Sequence, residues 1–251
     1  REPRKKRAAV KLTAVQSLRC PIDSIEHFNY DTRRILLKIP TAQAVEFKAG
    51  QYLEVVLPDR KCPFSIASAP PLDGFIELHV RPTPDSEDSI AIEKLLDSAD
   101  YIDIEVPKGD CFLTSMPEGP LLLLAAGTGI TQMKSIIEQI IPDGLSHPVH
   151  LYWGVVSEKD LYLNGLIESW ATHTNFNYVP VVSEPDASSD WQGKTGLVGE
   201  IALQDIQSLS DITVYVSGGP GMVYATLDMF VDKGMPEENM HSDMFSFAPR
   251  D

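Results

Sequence analysis

Hydrophobic and polar residues alternate in short stretches throughout the first half of the chain. Such alternation, with a period of two, predicts strands that bury one face. Five stretches show it, at residues 10–15, 34–39, 50–57, 75–80 and 101–106. A helical pattern at residues 89–98 interrupts the series, with Ile92, Leu95 and Leu96 on one face. Short strands at regular spacing, separated by Pro and Gly, predict a small antiparallel β-barrel.

The second half has a different pattern. Leu121 to Ala126 is a continuous apolar run, which is typical of a strand buried on both faces of a parallel sheet. Further strands are predicted at residues 149–154, 178–182 and 213–216. Helices are predicted at residues 131–141, 160–171, 198–206 and 222–232, and a surface loop at 183–193. Strands alternating with helices predict an α/β doubly wound parallel sheet.

The two patterns together predict a chain of two domains. An antiparallel β-barrel is expected at residues 10–114 and the doubly wound α/β domain at residues 115–251. Residues 1–9 form a basic N-terminal arm, with five basic residues and one acidic residue in the first seven. Such an arm is either a solvated tail or a docking segment for an acidic partner or a membrane.

Charge and cysteine content narrow the class of protein. The 251 residues carry a formal net charge of −15, which argues against a nucleic-acid binder because such proteins need a basic face. Cys20, Cys62 and Cys111 are too far apart for an iron–sulfur or zinc motif, and the histidines do not cluster beyond His147 and His150, so no metal site is expected. Three sparse cysteines suit a reducing cytoplasm, and neither a signal peptide nor a membrane span is expected.

Two glycine-rich turns are candidate phosphate sites. Gly127-Thr128-Gly129 follows the buried strand and precedes a helix, where free N–H groups attract phosphate. Gln132 stands where the usual dinucleotide fingerprint has its third glycine, so a plain tight turn remains an alternative. Ser217-Gly218-Gly219-Pro220-Gly221 follows another parallel strand, at the edge where α/β sheets bind ligands. A purely structural turn is the alternative there.

A third stretch, Pro63-Phe64-Ser65-Ile66-Ala67-Ser68-Ala69-Pro70, ends a barrel strand. By composition alone it reads as an edge strand with hydroxyls facing water. In their order along the chain, however, the three stretches resemble the ferredoxin–NADP reductase superfamily. The flavin motif of that superfamily, Arg-x-Tyr/Phe-Ser, is similar to Cys62-Pro63-Phe64-Ser65.

The resemblance extends over nearly the whole chain from Val10 to the tail Asp243-Met244-Phe245-Ser246-Phe247. Within the superfamily, the chain looks most like the bacterial NAD(P)H:flavin reductases, including those that feed luciferase. It is also similar to the reductase part of glucoseen-reductase-type iron–sulfur flavoproteins.

The resemblance implies an FNR-like flavoprotein oxidoreductase in which the barrel binds flavin and the α/β domain binds NADH or NADPH. Hydride would pass directly to flavin N5, with Ser65 as the catalytic residue beside it. The flavin, which is FMN, riboflavin or FAD, is expected as a substrate or a weakly bound cofactor, and a flavin-dependent monooxygenase or luciferase as a possible partner. The implied binding residues are Pro63, Phe64, Ser65, Ile66, His79, Val80, Arg81, Gly127, Thr128, Gly129, Ile130, Gly218, Gly219, Pro220, Phe245 and Phe247. For Phe245 and Phe247, a plain core role is the alternative.

Two departures from the family pattern concern the flavin phosphates. Cys62 replaces the motif arginine, and Arg60, Lys61 or Arg81 are the candidate substitutes. Where tight FAD binders carry a glycine-and-hydroxyl turn, this chain has three acids in Pro84-Asp85-Ser86-Glu87-Asp88. Acids near a phosphate repel it, so we expect loose binding through the flavin ring. The loop at residues 155–160 has one lysine and two acids, which favours NADH at least as much as NADPH.

Two other functions fit the same motifs. The chain could be an electron-transfer module that keeps its flavin and reduces an iron–sulfur partner, in which case the purified protein would be yellow. It could also be a non-catalytic nucleotide-binding regulator, which would bind NADH without oxidising it when FMN is added.

Overall fold

The computed structural model describes residues 13–40 and 42–251. The predicted basic arm at residues 1–9 lies outside the described residues. Among the helices that are described, none combines the length and hydrophobicity needed to cross a bilayer.

The first half is an antiparallel barrel, as predicted. Its strands are β1 (Gln16–His27), β2 (Arg33–Lys38), β3 (Tyr52–Val56), β4 (Lys61–Ser65), β5 (Phe75–Val80) and β6 (Tyr101–Lys108), and helix α1 (Glu87–Ser98) lies between β5 and β6. They pair in the order β4-β3-β6-β1-β2-β5. Ala67, which follows β4, donates a backbone hydrogen bond of 3.0 Å from its N to Glu77 O of β5. This hydrogen bond brings the two edges of the sheet together.

The sequence analysis misplaced the first strand, and β4 was not among the five predicted strands. Residues 10–12 of the predicted strand lie outside the described residues, and residues 13–15 form no strand. The long strand β1 instead begins at Gln16 and contains Pro21, a residue that removes a ladder donor and so argues against a strand. Pro21 is tolerated because it lies where β1 leaves β6, opposite Tyr101, and begins to pair with β2 at Ile22.

The second half is an open parallel sheet, also as predicted. Its strands are β7 (Leu121–Ala126), β8 (Val149–Val155), β9 (Phe176–Val182), β10 (Lys194–Thr195), β11 (Thr213–Ser217) and β12 (Met240–His241), in the order β10-β9-β8-β7-β11-β12. Its helices are α2 (Ile130–Ile140), α3 (Asn164–Trp170), α4 (Val198–Asp205), α5 (Pro220–Asp232) and α6 (Met244–Phe247).

The central strand β7 is apolar along its whole length because both of its faces are buried. Leu121, Leu123 and Ala125 enter a core that also contains residues of α2 and α3. Leu122 and Leu124 point to the opposite face, into a core that contains residues of α4 and α5. Each face of the sheet is therefore covered by two helices, which is the doubly wound arrangement.

The helix predicted at residues 160–171 is shorter than expected. A 3-10 turn at Glu158–Asp160 comes first, and α3 starts only at Asn164. The Asp160 carboxylate accepts bonds from Ser157 N and from the Tyr30 hydroxyl, and these bonds hold the chain in the turn. The short elements β10, β12 and α6 were not predicted, because two to four residues carry no usable periodicity. The domain limit at residues 114 and 115 stays a prediction, between the end of β6 and the start of β7.

Candidate active site

A cavity of about 430 Å³ lies between the barrel and the parallel sheet. The barrel contributes the ends of β4 and β5 and the start of α1 to its wall. The α/β half contributes the turns that follow β7 and β11. Because these two strands are adjacent and parallel, their carboxyl ends meet at the same edge of the sheet.

The two glycine turns are in direct contact with one another. Gly127 has a φ of +57°, a conformation that favours glycine. A Cβ on Gly129 would lie 2.3 Å from the Ser217 carbonyl oxygen, so only glycine fits there. Gly129 and Gly219 precede α2 and α5, and neither helix start has a side-chain cap. The starts of these two helices therefore face one region, and helix N-termini suit the phosphates of a nucleotide.

On the barrel side, the wall is the end of β4. Pro63, Phe64 and Ser65 line the cavity, and Ser65 pairs with Tyr52 of β3. Among the described residues, no side chain or backbone group bonds to the Ser65 hydroxyl, so it is available to a ligand. The barrel thus offers an apolar surface with one free hydroxyl, which fits the flat ring of a flavin.

A buried histidine lies beneath this wall. His79 Nδ1 is 3.1 Å from Thr131 Oγ1 and 3.3 Å from the Tyr162 hydroxyl, and the Phe28 ring packs edge-on against the imidazole. Burial lowers the pKa of His79, although Glu77 opposes this shift, so we assign the imidazole as neutral. Its Nε2 faces Glu77 Oε2 at 3.7 Å, which is beyond hydrogen-bond distance, and has no hydrogen-bond partner among the described residues. His79 is therefore a polar group of the cavity that is held mainly by contacts from the α/β half.

The three candidate cations occupy different environments. Arg81 lines the cavity and donates to Asp31 at 2.8 Å. Lys61 does not line the cavity and pairs with Glu105. Arg60 Nη1 donates to Asp88 at 3.0 Å, and the same guanidinium also contacts Asp59 and Glu87.

Ten of the predicted binding residues line the main cavity. They are Pro63, Phe64, Ser65, His79, Val80, Arg81, Thr128, Gly129, Gly218 and Gly219. Six do not line it: Ile66, Gly127, Ile130, Pro220, Phe245 and Phe247. Ile66 and Ile130 are fully buried, and the Gly127 carbonyl accepts a bond from Trp153 Nε1 at 2.8 Å.

The two tail phenylalanines differ from each other. Phe245 packs against the core around α5, with its ring 5.5 Å from that of Tyr224, which is the plain core role. Phe247 lines a smaller adjoining cavity of about 120 Å³, and its ring lies 5.2 Å from the Tyr52 ring. Only Phe247 is therefore placed where it could cover a ring bound at Ser65.

Several cavity residues were missed by the sequence analysis. Thr131, Met244 and Asp88 line the main cavity and Asp243 lines the smaller one, although none of them was among the predicted binding residues. Thr131 lies two residues after the first glycine turn, so extending that turn would have found it. Asp243 lies two residues before Phe245 in the tail motif, but no local pattern distinguishes it from a surface acid.

Asp243 is a partly buried carboxyl group beside Gln132, Cys111 and Asp110. Burial raises its pKa to about 7, and the nearby Asp110 adds to the shift, while a bond with Cys111 opposes it. Gln132 Nε2 donates to Asp243 Oδ2 at 3.3 Å. The folded protein therefore favours the protonated form of Asp243, and ionisation of Asp243 lowers the free energy of unfolding.

We expect Asp243→Asn to stabilise the protein in a pH-dependent way. The pKa of Asp243 is higher in the folded protein than in the unfolded chain. The contribution of Asp243 to the free energy of unfolding is therefore highest at acid pH, where its carboxyl group is protonated, and it falls as the pH rises from about 4 to about 7. An amide keeps the bond with Gln132 and does not ionise. The Tm of the variant should therefore exceed that of the wild type by about 5 °C at pH 8, with no gain near pH 4. A Tm difference that does not vary with pH would contradict this assignment.

Comparisons with known proteins agree with this geometry. Residues 19–112 match the family described as "Oxidoreductase FAD-binding domain", and residues 123–228 match "Oxidoreductase NAD-binding domain". An "NAD(P)H-flavin reductase" of Vibrio harveyi is 35% identical over 239 residues, covering 92% of this chain and 99% of the relative. A "CDP-6-deoxy-L-threo-D-glycero-4-hexulose-3-dehydrase reductase" of Yersinia pestis is 36% identical over 227 residues, covering 90% of this chain and 68% of the relative.

Solved structures agree on the fold. A cytochrome P450 reductase of Amycolatopsis superposes with a TM-score of 0.80 at 29% identity, covering 91% of this chain and 69% of that one. A ferredoxin NADP+ reductase of Neisseria gonorrhoeae, crystallised with FAD and NADP, superposes with a TM-score of 0.73 at 20% identity and covers 90% and 98% of the two chains. The resemblance found in the sequence is thus confirmed. This chain belongs to the family of ferredoxin–NADP reductase-like oxidoreductases that carry an FAD-binding and an NAD-binding domain.

Proposed function

We propose that this protein is an NAD(P)H-dependent flavin reductase whose flavin binds and leaves as a substrate. The observation that carries the proposal is one cavity, lined by Pro63, Phe64 and Ser65 of the barrel and by both glycine turns of the α/β half. Relatives named as NAD(P)H-flavin reductases, at about 35% identity over almost their whole length, support it.

The reaction needs two rings held face to face. A hydride leaves C4 of the dihydronicotinamide, which becomes NAD(P)+, and joins N5 of the oxidised flavin. No side chain has to act as an acid or a base in that transfer. The task of the protein is alignment, since holding two reactants in register removes much of the entropic barrier.

Each half of the cavity has a part in this alignment. The starts of α2 and α5, at Gly129 and Gly219, would hold the phosphates of NAD(P)H. Phe64 and Val80, which line the cavity, would contact the flavin ring, and the Ser65 hydroxyl would donate a hydrogen bond near N5. Such a bond accelerates transfer if it strengthens as charge develops on the ring.

Loose flavin binding is supported by the charges at the start of α1. Arg60 contacts three carboxylates near that end of the cavity, and one of them, Asp88, lines the cavity. A guanidinium that is already paired gains little from a phosphate. The flavin is therefore held by its ring, which all three candidate flavins share.

Replacing Asp88 tests this charge balance. Asp88→Asn removes one carboxylate from Arg60, so the guanidinium can bond to a flavin phosphate instead. We expect the Kd for FMN to fall about tenfold and the Kd for riboflavin, which has no phosphate, to stay unchanged. Asp97→Asn is the matched control, because it removes the same charge from an exposed position on the same helix. Equal changes for both flavins would show that Asp88 does not face the phosphate.

The choice of pyridine nucleotide is also part of the proposal. Glu158 accepts bonds from the Ser189 hydroxyl and from Asp186 N, which hold its carboxylate in the loop after β8. Lys159 lies over the Tyr30 ring, with Nζ 4.6 Å from the ring centroid. The carboxylate suits the ribose hydroxyls of NADH, and the lysine is engaged with the barrel. NADH is therefore used at least as well as NADPH.

The test of the function is the oxidation of NADH and NADPH with riboflavin, FMN and FAD offered in turn. We expect turnover with all three flavins, with similar kcat/KM for riboflavin and FMN, and with NADH at least equal to NADPH. NADH that binds without being oxidised in the presence of any flavin would indicate a nucleotide-binding regulator instead.

We also propose that the reduced flavin leaves for a flavin-dependent monooxygenase or a luciferase. The three cysteines are buried free thiols, which is consistent with a reducing cytoplasm as the place of this reaction. A dialysis membrane between this enzyme and an FMN-dependent monooxygenase tests the transfer. Product formation across the membrane requires that the reduced flavin diffuses, and its absence would argue for a flavin that stays bound.

A second function, that of an electron-transfer module, is favoured by longer relatives that this chain matches over only part of their length. The chain spans about two thirds of the Yersinia pestis reductase and of the Amycolatopsis P450 reductase. In such a protein, flavin would stay bound and pass its electrons to a partner carrying an iron–sulfur centre. Flavin content separates the two functions: a purified protein with near-stoichiometric flavin supports the electron-transfer module, and a colourless one supports the reductase.

A further inference from the structure

Helix α2 is buried on two opposite sides. Its apolar residues pack into the core under the parallel sheet: Ile130, Met133, Ile136, Ile137 and Ile140. Its polar residues turn to the barrel instead, and five of them reach barrel atoms: Thr131, Gln132, Lys134, Ser135 and Glu138. A helix with a buried polar face is unusual, because each buried polar group needs a partner.

The partners are mostly barrel main-chain atoms. Ser135 donates to Ser68 O at 2.9 Å, and Gln132 donates to Gly50 O at 3.0 Å. Lys134 Nζ donates to Ala67 O at 2.8 Å. These three carbonyl groups lie just outside the strands, and the Ala67 segment is tied to β5 by a hydrogen bond of 3.0 Å from Ala67 N to Glu77 O. The hydrogen bonds from α2 therefore reach a segment that is itself anchored on the barrel.

Lys134 stands out because it is a buried cation. Its side chain is 9% exposed and that of its barrel partner Glu77 is 8% exposed, with 3.1 Å between Nζ and Oε2. Glu138, one turn later on α2, accepts from the same ammonium at 2.7 Å. Burial alone would raise the pKa of Glu77, but His79, Lys134 and Arg34 together lower it well below its ordinary value. Glu77 is therefore an ionised carboxylate within the domain interface.

The residues that Lys134 joins, Ala67 and Glu77 on the barrel side and α2 on the other, all lie close to the cavity. Ala67 is two residues after Ser65, and Glu77 is two residues before His79, on the same face of β5. Lys134 is five residues after Gly129, on the helix that begins at the nucleotide-binding turn. One ammonium thus ties the segment that carries Ser65 to the helix that starts at the Gly127–Gly129 turn.

We propose that Lys134 is a positioning residue that sets the distance between the flavin and nicotinamide sites. The inference rests on the proposed hydride transfer between those two sites. Lys134 touches neither ring, since it does not line either cavity. It acts by holding the Ser65 segment and the start of α2 in one register. A misplacement of about 1 Å between two reacting groups can slow a reaction about 10²-fold. Loss of Lys134 should therefore slow hydride transfer strongly, while each domain still binds its own ligand.

The experiment compares Lys134→Met with Lys134→Arg. Methionine has a similar length but no charge, and arginine restores a cation that can still reach Ala67 O and Glu77. Arg250→Met is the control, since it removes an exposed ion pair with Asp228 from the same domain. The readouts are the single-turnover rate of flavin reduction, the Kd for FMN without nucleotide, the KM for NADH, and the isotope effect with NADH deuterated at the transferred position.

For Lys134→Met we expect the single-turnover rate to fall at least about tenfold, with the Kd for FMN and the KM for NADH within about twofold of the wild type. The isotope effect should rise, because hydride transfer becomes more rate-limiting. Lys134→Arg should recover most of the rate, and Arg250→Met should match the wild type. Should Lys134→Met fail to fold, Glu77→Gln makes the same test, because it keeps the side-chain shape and removes the charge that faces Lys134.

Two outcomes would overturn the proposal. One is a single-turnover rate in Lys134→Met equal to that of Arg250→Met. The other is a rate loss that is matched by an equal loss of FMN or NADH binding, with an unchanged isotope effect, because this is what a purely structural role produces. Absence of NADH oxidation in the wild type with every flavin would instead refute the proposed function, and the two failures are thus distinguishable.

Discussion

Ser65→Ala is expected to lower kcat by about 10²-fold while the Tm stays within about 2 °C of the wild type. Ser65 is the last residue of β4, and its side chain lines both cavities. Its hydroxyl has no hydrogen-bond partner among the described residues, so removing it leaves no buried group unsatisfied. Its proposed bond near flavin N5 strengthens as charge develops, and a bond of that kind affects the transition state more than the bound substrates.

Steady-state kinetics with NADH and FMN, together with the Kd for FMN, check this expectation. Ser98→Ala is the matched control, because Ser98 lies at the far end of α1 and bonds only to Lys94 O. Normal turnover in Ser65→Ala would remove Ser65 from the mechanism. A loss of FMN affinity as large as the loss of kcat would make Ser65 a binding residue instead.

Gly129→Ala is expected to reduce kcat/KM for NADH by about 10²-fold and to lower the Tm by roughly 5 °C. The new Cβ would lie 2.3 Å from the Ser217 carbonyl oxygen and 2.9 Å from its carbon, and these are backbone atoms of β11 that cannot turn aside. The two glycine turns must therefore move apart. In the proposed function, the spacing of the two turns sets how both helix starts face one nucleotide.

Gly165→Ala provides the control for this change. Nothing lies within 4 Å of a Cβ placed on Gly165, which is part of α3. Alanine there should leave kcat/KM unchanged and the Tm equal or slightly higher, since alanine is the better helix former. Wild-type kinetics in Gly129→Ala would mean that the contact between the two turns has no part in nucleotide binding.

Local patterns were sufficient for most of the fold. The runs at residues 75–80 and 121–126 correspond to β5 and β7 residue for residue, because alternation and unbroken hydrophobicity are properties of the strand itself. The strand β1 was misplaced for the opposite reason. Pro21 looks like a breaker locally, and only the change of pairing partner from β6 to β2 makes it acceptable.

The candidate site was foreseen in part. The glycine turns were singled out by their residue types and position, and the Pro63–Ser65 segment by its resemblance to the family's flavin motif. The structure brings these segments to one cavity. Arg60 could not be assessed from sequence, since its neutralisation by Asp88 joins residues 28 positions apart. Phe245 and Phe247 also looked equivalent, although only Phe247 reaches a cavity.

The two-domain plan follows from periodicity, which is encoded within short stretches of chain. The family and its chemistry follow from the resemblance that the motifs carry in their order along the chain. Only the folded protein shows which side chains share the cavity, that Arg60 is already paired with Asp88, and that α2 contacts the barrel through Lys134. Those features depend on contacts between residues far apart in the chain. Their energies come from burial and charge pairing, which exist only once the two domains have packed against each other.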